Sequence, residues 1–150
     1  MKLFHSAGAN ARVDIQTEDH CPPHVHALNW ADRWEAKVEI SFVDNNVVLM
    51  EVLPVANEPT RRTLGKLLDE VGQHLDLCRR GWWRIYGDTC LVNRWIRVSA
   101  EGVPAVLKKG RKGASQVLGA KYDPGSTVLT LAMSDGSTVS INAGDGEVER

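Results

Sequence analysis

The chain of 150 residues is poor in the features that mark membrane and disulfide-rich proteins. No run approaches the roughly 18 apolar residues that a membrane span needs, and Met1 to Asn10 lacks the apolar core of a signal peptide. The three cysteines, Cys21, Cys78 and Cys90, are odd in number, widely spaced and without a C-x-x-C pair. This spacing suggests neither a disulfide framework nor a cysteine-rich zinc knuckle. We therefore expect a cytoplasmic protein with reduced thiols.

The sequence also lacks the motifs of several common enzymes. It contains no phosphate-binding glycine loop, no G-x-S-x-G elbow and no H-E-x-x-H helix, and no close carboxylate pair stands out from the surface charge. Cys21 follows His20 directly, and neighbouring side chains of an extended chain point to opposite faces, so the histidine would not activate the thiol. An enzymatic activity stays open, but a binding role is favoured.

A strong charge of one sign is absent, since the net charge is −1 at pH 7. The charges are unevenly distributed: residues 1–58 carry 4 basic and 9 acidic side chains, residues 59–112 carry 12 and 5, and residues 113–150 carry 2 and 5. The basic middle segment could attract nucleic acid. Folding can interleave these charges, however, so we regard nucleic acid as an unfavoured partner.

Hydrophobic periodicity organises the first half of the chain. Alternation predicts strands at residues 12–17, 24–30 and 34–42, followed by a β-branched return strand at 47–53. The turn residues Asp44-Asn45-Asn46 favour an antiparallel hairpin between the last two strands.

From Glu58 the apolar spacing changes to three and four residues, which predicts one amphipathic helix of about 22 residues. Asn57 is the expected N-cap, and Arg79 and Arg80 suit the negative end of the helix dipole. Gly81 is expected to close the helix. This helix would cover the apolar face of the sheet that the strands at residues 12–53 are expected to form.

The second half is less regular. Residues 82–86 and 91–98 are apolar enough for strands, whereas the glycine- and lysine-rich residues 102–113 indicate an exposed, mobile connector. Turn sequences then separate three short strands and predict two successive hairpins, before a tail at 144–150 that should fray. The strands are expected at residues 117–122, 128–133 and 139–142.

Together these patterns predict an α+β fold: an antiparallel sheet with one principal amphipathic helix across one face, and a C-terminal β-meander. We assign residues 1–100 to a first domain and residues 115–150 to a small meander. A short meander is marginally stable alone, so it should pack on the first domain or on a second subunit.

The densest chemical signal is the run Asp-His-Cys-Pro-Pro-His-Val-His at residues 19–26. Two prolines stiffen the backbone, and on a strand His24 and His26 point to one face about 6.6 Å apart. Imidazoles at that spacing can share one divalent transition metal such as zinc. His20 could join them if the Cys-Pro-Pro segment folds back, for instance through a cis bond. Asp19 could ligate the metal or orient a histidine.

Other interpretations of the histidines remain open. Histidines at a strand edge can simply bond to backbone carbonyls or form a pH-sensitive packing surface. The proline-containing corner at residues 19–26 could instead bind a non-metal ligand or a partner. His74, on the predicted helix, is more typical of a rim histidine than of a ligand.

A second candidate surface lies at residues 79–84, Arg-Arg-Gly-Trp-Trp-Arg. Arg80, Trp82 and Trp83 interleave cations with rings, as surfaces that bind proteins or single-stranded nucleic acid do. Packing at a helix end, with one tryptophan buried and the arginines solvated, is the alternative that we favour.

The motif Asp-His-x-Pro-Pro-His-x-His resembles the opening of a bacterial family of small uncharacterised domains, and the resemblance covers residues 1–83. The tail, with Leu129-Thr130-Leu131 before Ser134-Asp135-Gly136, is similar to a second small bacterial family that is often encoded beside the first. Members of both families occur near toxin–antitoxin-like gene pairs, which implies an accessory or regulatory role. Here the two are fused in one chain, so a partner that is normally separate would be internal.

We therefore predict a small bacterial binding protein that uses the 19–26 corner as a recognition or metal site. Alternatives are a metal-dependent hydrolase-like enzyme and a toxin–antitoxin-like regulatory partner. We expect a homo-oligomer formed through strand edges or tryptophans, a protein partner as a further option, and no membrane. The candidate metal ligands are His20, His24 and His26, and the candidate ligand-binding residues are Asp19, His20, Arg80, Trp82 and Trp83.

Overall fold

The computed structural model describes residues 1–144 and 147–148. The chain divides into two compact units, each of which is described by itself. The first comprises Met1–Ser41 and Asn46–Ile85, and the second comprises Phe42–Asn45 and Tyr86–Arg150. Two antiparallel sheets and two helices confirm the predicted α+β class in outline.

The first unit contains a five-stranded antiparallel sheet whose strands neighbour one another in chain order. The four predicted strands are present, some with shorter bounds, and an unpredicted strand precedes them. That strand has two exposed residues of five and shows no apolar alternation, so periodicity could not reveal it. The strands are β1 (Lys2–Ser6), β2 (Ala11–Asp14), β3 (His24–Asn29), β4 (Trp34–Ile40) and β5 (Val47–Leu53).

Register gives this sheet two chemically different faces. Val25 pairs with Val38, and both are fully buried in the core. On the other face one polar row crosses four strands, because residues directly opposite each other in antiparallel strands share a face. The row runs from β2 to β5 as Asp14, His26, Lys37 and Glu51.

Two helices replace the single predicted helix: α1 (Arg61–Gln73) and α2 (Leu75–Tyr86), with His74 between them. The predicted N-cap, Asn57, is wrong; it lies in a short 3₁₀ turn. Glu58 is extended, as expected for a residue that precedes a proline, so the helix begins only after Pro59. Thr60 is the N-cap.

The predicted helix end at Gly81 and the strand at 82–86 are also wrong, because α2 continues to Tyr86. Gly81 is buried inside this helix, where a Cβ atom would come within 2.9 Å of side-chain atoms of Leu3 and Ile15. This glycine permits close packing instead of terminating the helix. Arg79, expected at a solvated helix end, is 1% exposed, and its Nε donates to the Ser41 carbonyl.

The second unit is a six-stranded antiparallel sheet. Its strands are β6 (Trp95–Val98), β7 (Pro104–Leu107), β8 (Ala114–Asp123), β9 (Val128–Met133), β10 (Thr138–Asn142) and β11 (Glu147–Val148). They lie in the order β11-β10-β9-β8-β6-β7, and the pairs β8–β9 and β9–β10 are present where two hairpins were expected. Phe42 packs in this unit edge-on against Tyr122, with ring centroids 4.9 Å apart.

The second half of the chain differs from the sequence-based predictions in two places. The connector at residues 102–113 is wrong in part, because β7 lies within it and pairs with β6. The residues of β7, Pro-Ala-Val-Leu, show no apolar–polar alternation that would have indicated a strand. The first compact unit ends at Ile85, and β6 and β7 lie in the second sheet, whereas the sequence predicts a first domain of residues 1–100. Of the tail expected to fray, residues 145, 146, 149 and 150 lie outside the described residues.

The cysteines differ from the expectation of reduced thiols. Cys78 is free and buried, but Cys21 and Cys90 are each disulfide-bonded. Sequence spacing carries no information on which cysteines approach each other in three dimensions. No helix in the described part of the chain is long and apolar enough to cross a membrane.

Replacing Thr60 should destabilise the first helix. The Thr60 side chain accepts a hydrogen bond of 3.2 Å from the Thr63 backbone N–H, which would otherwise lack an intrahelical partner. We expect Thr60→Ala to lower the free energy of unfolding by about 1 kcal/mol in urea titrations followed by circular dichroism. Thr60→Ser retains the acceptor and is the control; equal losses in both variants would contradict the capping role.

The Cys78 thiol should be inert in the folded protein. Burial raises its pKa to about 12, which exceeds the opposing effect of the neighbouring Arg79 charge. Because the thiolate is the nucleophile, only roughly one part in ten thousand of the groups is reactive at pH 8. Iodoacetamide should leave the peptide that carries Cys78 unmodified in native protein and alkylate it rapidly in urea, as read by mass spectrometry. Equal rates in the two states would refute this.

Candidate functional site

The centre of the candidate site is formed by two histidines on β3. His24 and His26 alternate with core residues, lie on the polar face of the sheet, and are nevertheless only 5% and 2% exposed. Their burial places two polar rings where each nitrogen requires a partner. The preceding segment also carries Asp19 to within bonding distance of both rings, and its Cys21–Pro22 peptide is cis.

The His26 ring lies between two carboxylates. Its Nδ1 is 2.6 Å from Glu35 Oε1, and its Nε2 is 2.8 Å from Asp19 Oδ2 and 3.0 Å from Asp19 Oδ1. Carboxylates only accept, so both nitrogens donate together only when the ring is protonated. In the neutral ring with Nδ1–H bonded to Glu35, the Nε2 lone pair is directed at Asp19.

The His24 ring is oriented in the same way by a different acceptor. Its Nδ1 is 2.8 Å from the Pro22 carbonyl oxygen, and because a carbonyl cannot donate, Nδ1 carries the proton. The other nitrogen, Nε2, lies 3.4 Å from Asp19 Oδ1. The Trp82 ring, with its centroid 5.5 Å from that of His24, packs beside it. Both histidines therefore present Nε2 to one carboxylate.

These three side chains form a group that suits a metal ion. One ligand atom from each of Asp19, His24 and His26 lies within 4.8 Å of the others. Two ligands about 2.0–2.1 Å from a tetrahedral ion are about 3.4 Å apart, which matches the 3.4 Å between His24 Nε2 and Asp19 Oδ1. The 3.0 Å contact of His26 Nε2 with the same oxygen would open by about 0.4 Å. Each Nδ1 is held by an oxygen acceptor, the usual arrangement for metal-bound histidine.

The surrounding charge is predominantly negative. Asp14 is 8% exposed, and burial raises its pKa, with the Arg12 guanidinium 3.4 Å away opposing that effect. Asp14 Oδ1 has no hydrogen-bond partner among the described residues. Across the same polar row Lys37 Nζ lies 3.0 Å from Glu51, and this hydrogen bond raises the Lys37 pKa, so the amine stays protonated at neutral pH. The excess of carboxylates favours a cation between the histidines.

Two surface pockets adjoin the cluster, and Asp19 lies in the wall of each. The smaller, of about 240 Å³, includes His26 and Glu35 in its wall, and the larger, of about 420 Å³, includes His20 and His24. Asp19, Lys37 and Glu51 line both pockets. An ion held by the three ligands would therefore be approachable by a further small molecule.

The structure separates the predicted ligands into two groups. Asp19, His24 and His26 come together, whereas His20 is exposed and lies in the wall of the larger pocket without joining the three-residue group. His74 is remote from this chemistry: it stacks on Phe4, with ring centroids 4.1 Å apart, and its Nδ1 donates to the Glu70 carbonyl.

The predicted Arg-Trp surface is not assembled as an exposed patch. Trp82 is 1% exposed, Trp83 is half-buried, and both lie within α2. Arg80 is exposed, with its Nε 3.4 Å from the Asp76 carbonyl of the preceding turn. This arrangement agrees with the alternative of helix packing, although Arg79 is buried with the core instead of solvated.

Sequence reasoning missed Glu35, Lys37, Glu51 and Asp14. The alternation of β4 did place Glu35 and Lys37 on one face together, but only the register with β3 shows that this face carries the histidines. A paired register is a tertiary property, and a single sequence does not reveal it.

Comparisons with known proteins do not assign this chain to a group. No family model matches the sequence, and no curated protein or solved structure matches it either. The function is therefore argued from the geometry of the site.

Proposed function

We propose that this chain is a metal-binding protein whose Asp19, His24 and His26 hold one divalent transition-metal ion. One observation carries the proposal: both imidazoles turn Nε2 towards the same carboxylate while an acceptor fixes each Nδ1. A purely structural pair of histidines needs no such convergence. An ion between Asp19 and the two Nε2 atoms would take all three as ligands.

The donor set favours zinc or a similar ion over calcium or magnesium. Imidazole nitrogen suits zinc, copper, iron and nickel, whereas magnesium and calcium prefer sites built from oxygen alone. Three protein ligands also leave at least one coordination position for an exogenous molecule, which is the usual condition of catalytic and not of structural zinc.

Metal-dependent hydrolysis is the second candidate function, and the open position together with the adjoining pockets favours it. A bound ion would lower the pKa of a coordinated water molecule. Glu51, in the walls of both pockets, is the group that we propose as proton acceptor, and Lys37 beside it could neutralise developing negative charge.

Self-association remains a separate proposal. Within the described residues β5 pairs only with β4, and it exposes Val48 and Leu53. The register of β5 shifts opposite Lys37 and Val38, which marks a β-bulge. Because a bulge opposes pairing of one sheet edge with another, this feature argues against association through the edge of β5. The toxin–antitoxin-like role stays a prediction from resemblance.

Metal binding is tested by equilibrium dialysis against zinc with elemental analysis. The wild-type protein should retain one ion per chain, and His24→Ala and His26→Ala should each weaken binding by at least about a hundredfold, because each removes one of three ligands. Asp19→Asn keeps the shape of the side chain and should weaken binding by a similar factor. Thermal melts followed by circular dichroism would verify that each variant is folded.

Two other histidines provide the controls for that experiment. His5→Ala changes an exposed histidine on β1 and should leave zinc affinity unchanged. His20→Ala should alter affinity by less than about threefold, because His20 lies outside the three-residue group. Folded His24 and His26 variants that retain wild-type zinc affinity would refute the proposal.

Glu35 should support zinc affinity without binding the ion. Its Oε1 accepts from His26 Nδ1 at 2.6 Å, which fixes the ring and raises its basicity as a ligand. We expect Glu35→Ala to weaken zinc binding by about 10- to 100-fold without changing the stoichiometry. Glu58→Ala, an exposed carboxylate beside α1, is the matched control, and an equal effect in both variants would show that only overall charge matters.

A further inference from the structure

A third pocket lies at the tip of the β3–β4 hairpin and differs in chemistry from the two beside the metal ligands. It has a volume of about 610 Å³, which is within the range of small-molecule sites. Trp30, which is 74% exposed, and Leu53, which is 51% exposed, contribute apolar surface to its wall, together with Trp34 and Pro54. Exposed tryptophan and leucine side chains in one pocket indicate a binding surface for an apolar group.

This apolar pocket adjoins the smaller pocket of the candidate metal site, and the two share wall residues. Glu35 and Leu53 line both the apolar pocket and the smaller pocket beside His26. Glu35 is also the carboxylate that holds His26 Nδ1 at 2.6 Å. Trp30 follows directly after the last residue of β3, so at about 3.3 Å per residue it lies at most roughly 13 Å from His26 along the chain, a distance that one elongated small molecule can span.

We propose that the site takes an elongated ligand with an apolar, ring-bearing end in the Trp30 pocket and an oxygen-donor end at the open coordination position of the metal. This inference rests on the proposed metal site and specifies its ligand class. The two pockets differ in the same way as the two ends of such a ligand. Apolar side chains and Arg33 line the apolar pocket, and Lys37 and Glu51 line the pocket beside the metal ligands. A ligand that lacks either end would use half of the site.

Hydroxamates of different length provide the test, because the hydroxamate group coordinates zinc through its oxygens. Acetohydroxamate carries the metal-binding end alone, and 5-phenylpentanohydroxamate adds an aromatic ring on a flexible chain. Calorimetry on the zinc-loaded protein should give at least about tenfold tighter binding of the phenyl compound, as expected for burying a ring and its chain. Trp30→Ala should reduce this ratio to threefold or less and leave acetohydroxamate affinity unchanged.

A control variant and a third probe separate the possible failures. Val55→Ala removes a neighbouring exposed apolar side chain that is not part of the pocket wall, and it should preserve the tenfold ratio. Equal affinity of the two hydroxamates for the zinc-loaded wild-type protein would overturn the inference about the ligand. The binding of acetohydroxamate in that experiment would still support the metal site. If the protein retains no zinc, the proposed metal site and the inference about its ligand both fail. Binding of 5-phenylpentanol that depends on Trp30 would then show an apolar pocket that is not coupled to a metal.

Discussion

The candidate site depends on the Asp19 carboxylate, which lies against the two histidines of β3. His24 and His26 are almost fully buried on the face of the sheet that carries Asp14, Lys37 and Glu51. Their Nε2 atoms face Asp19, and their Nδ1 atoms face the Pro22 carbonyl and Glu35. Every ring nitrogen therefore has an oxygen acceptor, which is an arrangement that calls for a cation, whether a proton or a metal ion.

The sheet supplies the rigidity that this arrangement needs. β3 is hydrogen-bonded on both sides, to β2 and to β4, so the two imidazoles are held on a framework with little freedom. Sites built on strands are more precise than sites built on loops, and here only Asp19 comes from the connecting segment. This division suggests that His24 and His26 are preorganised, whereas Asp19 moves by a fraction of an ångström when an ion enters.

Local sequence signals predicted the strands around the site well. The alternation at β4 and the spacing of His24 and His26 both follow from the two-residue period of a strand, which a single sequence displays directly. The sequence predicts one helix because the apolar spacing continues past His74. In the structure His74 is the C-cap of α1, and periodicity does not report such a break between two helices. Gly81 was misassigned for a related reason, since its close neighbours, Leu3 and Ile15, are distant in sequence.

The composition of the site was only partly predictable. The motif singled out Asp19, His24 and His26, but it also included His20, which the fold leaves in a pocket wall. Glu35 lies nine residues beyond His26 and bonds to it only because of the β3–β4 register, and Glu51 joins the polar row through one further strand. Residues supplied by a neighbouring strand require knowledge of the register, and the sequence contains no sufficient signal for it.

X-ray absorption spectroscopy at the zinc edge of the zinc-loaded, full-length protein tests the central claim most directly. The account predicts two imidazole nitrogens and at least one oxygen about 2.0–2.2 Å from the metal. Multiple scattering from the outer atoms of the imidazole rings would identify the nitrogen ligands as histidine. A spectrum with oxygen ligands alone, or with sulfur in the coordination sphere, would contradict the account. The ion would then be bound elsewhere, and the two histidines would be structural.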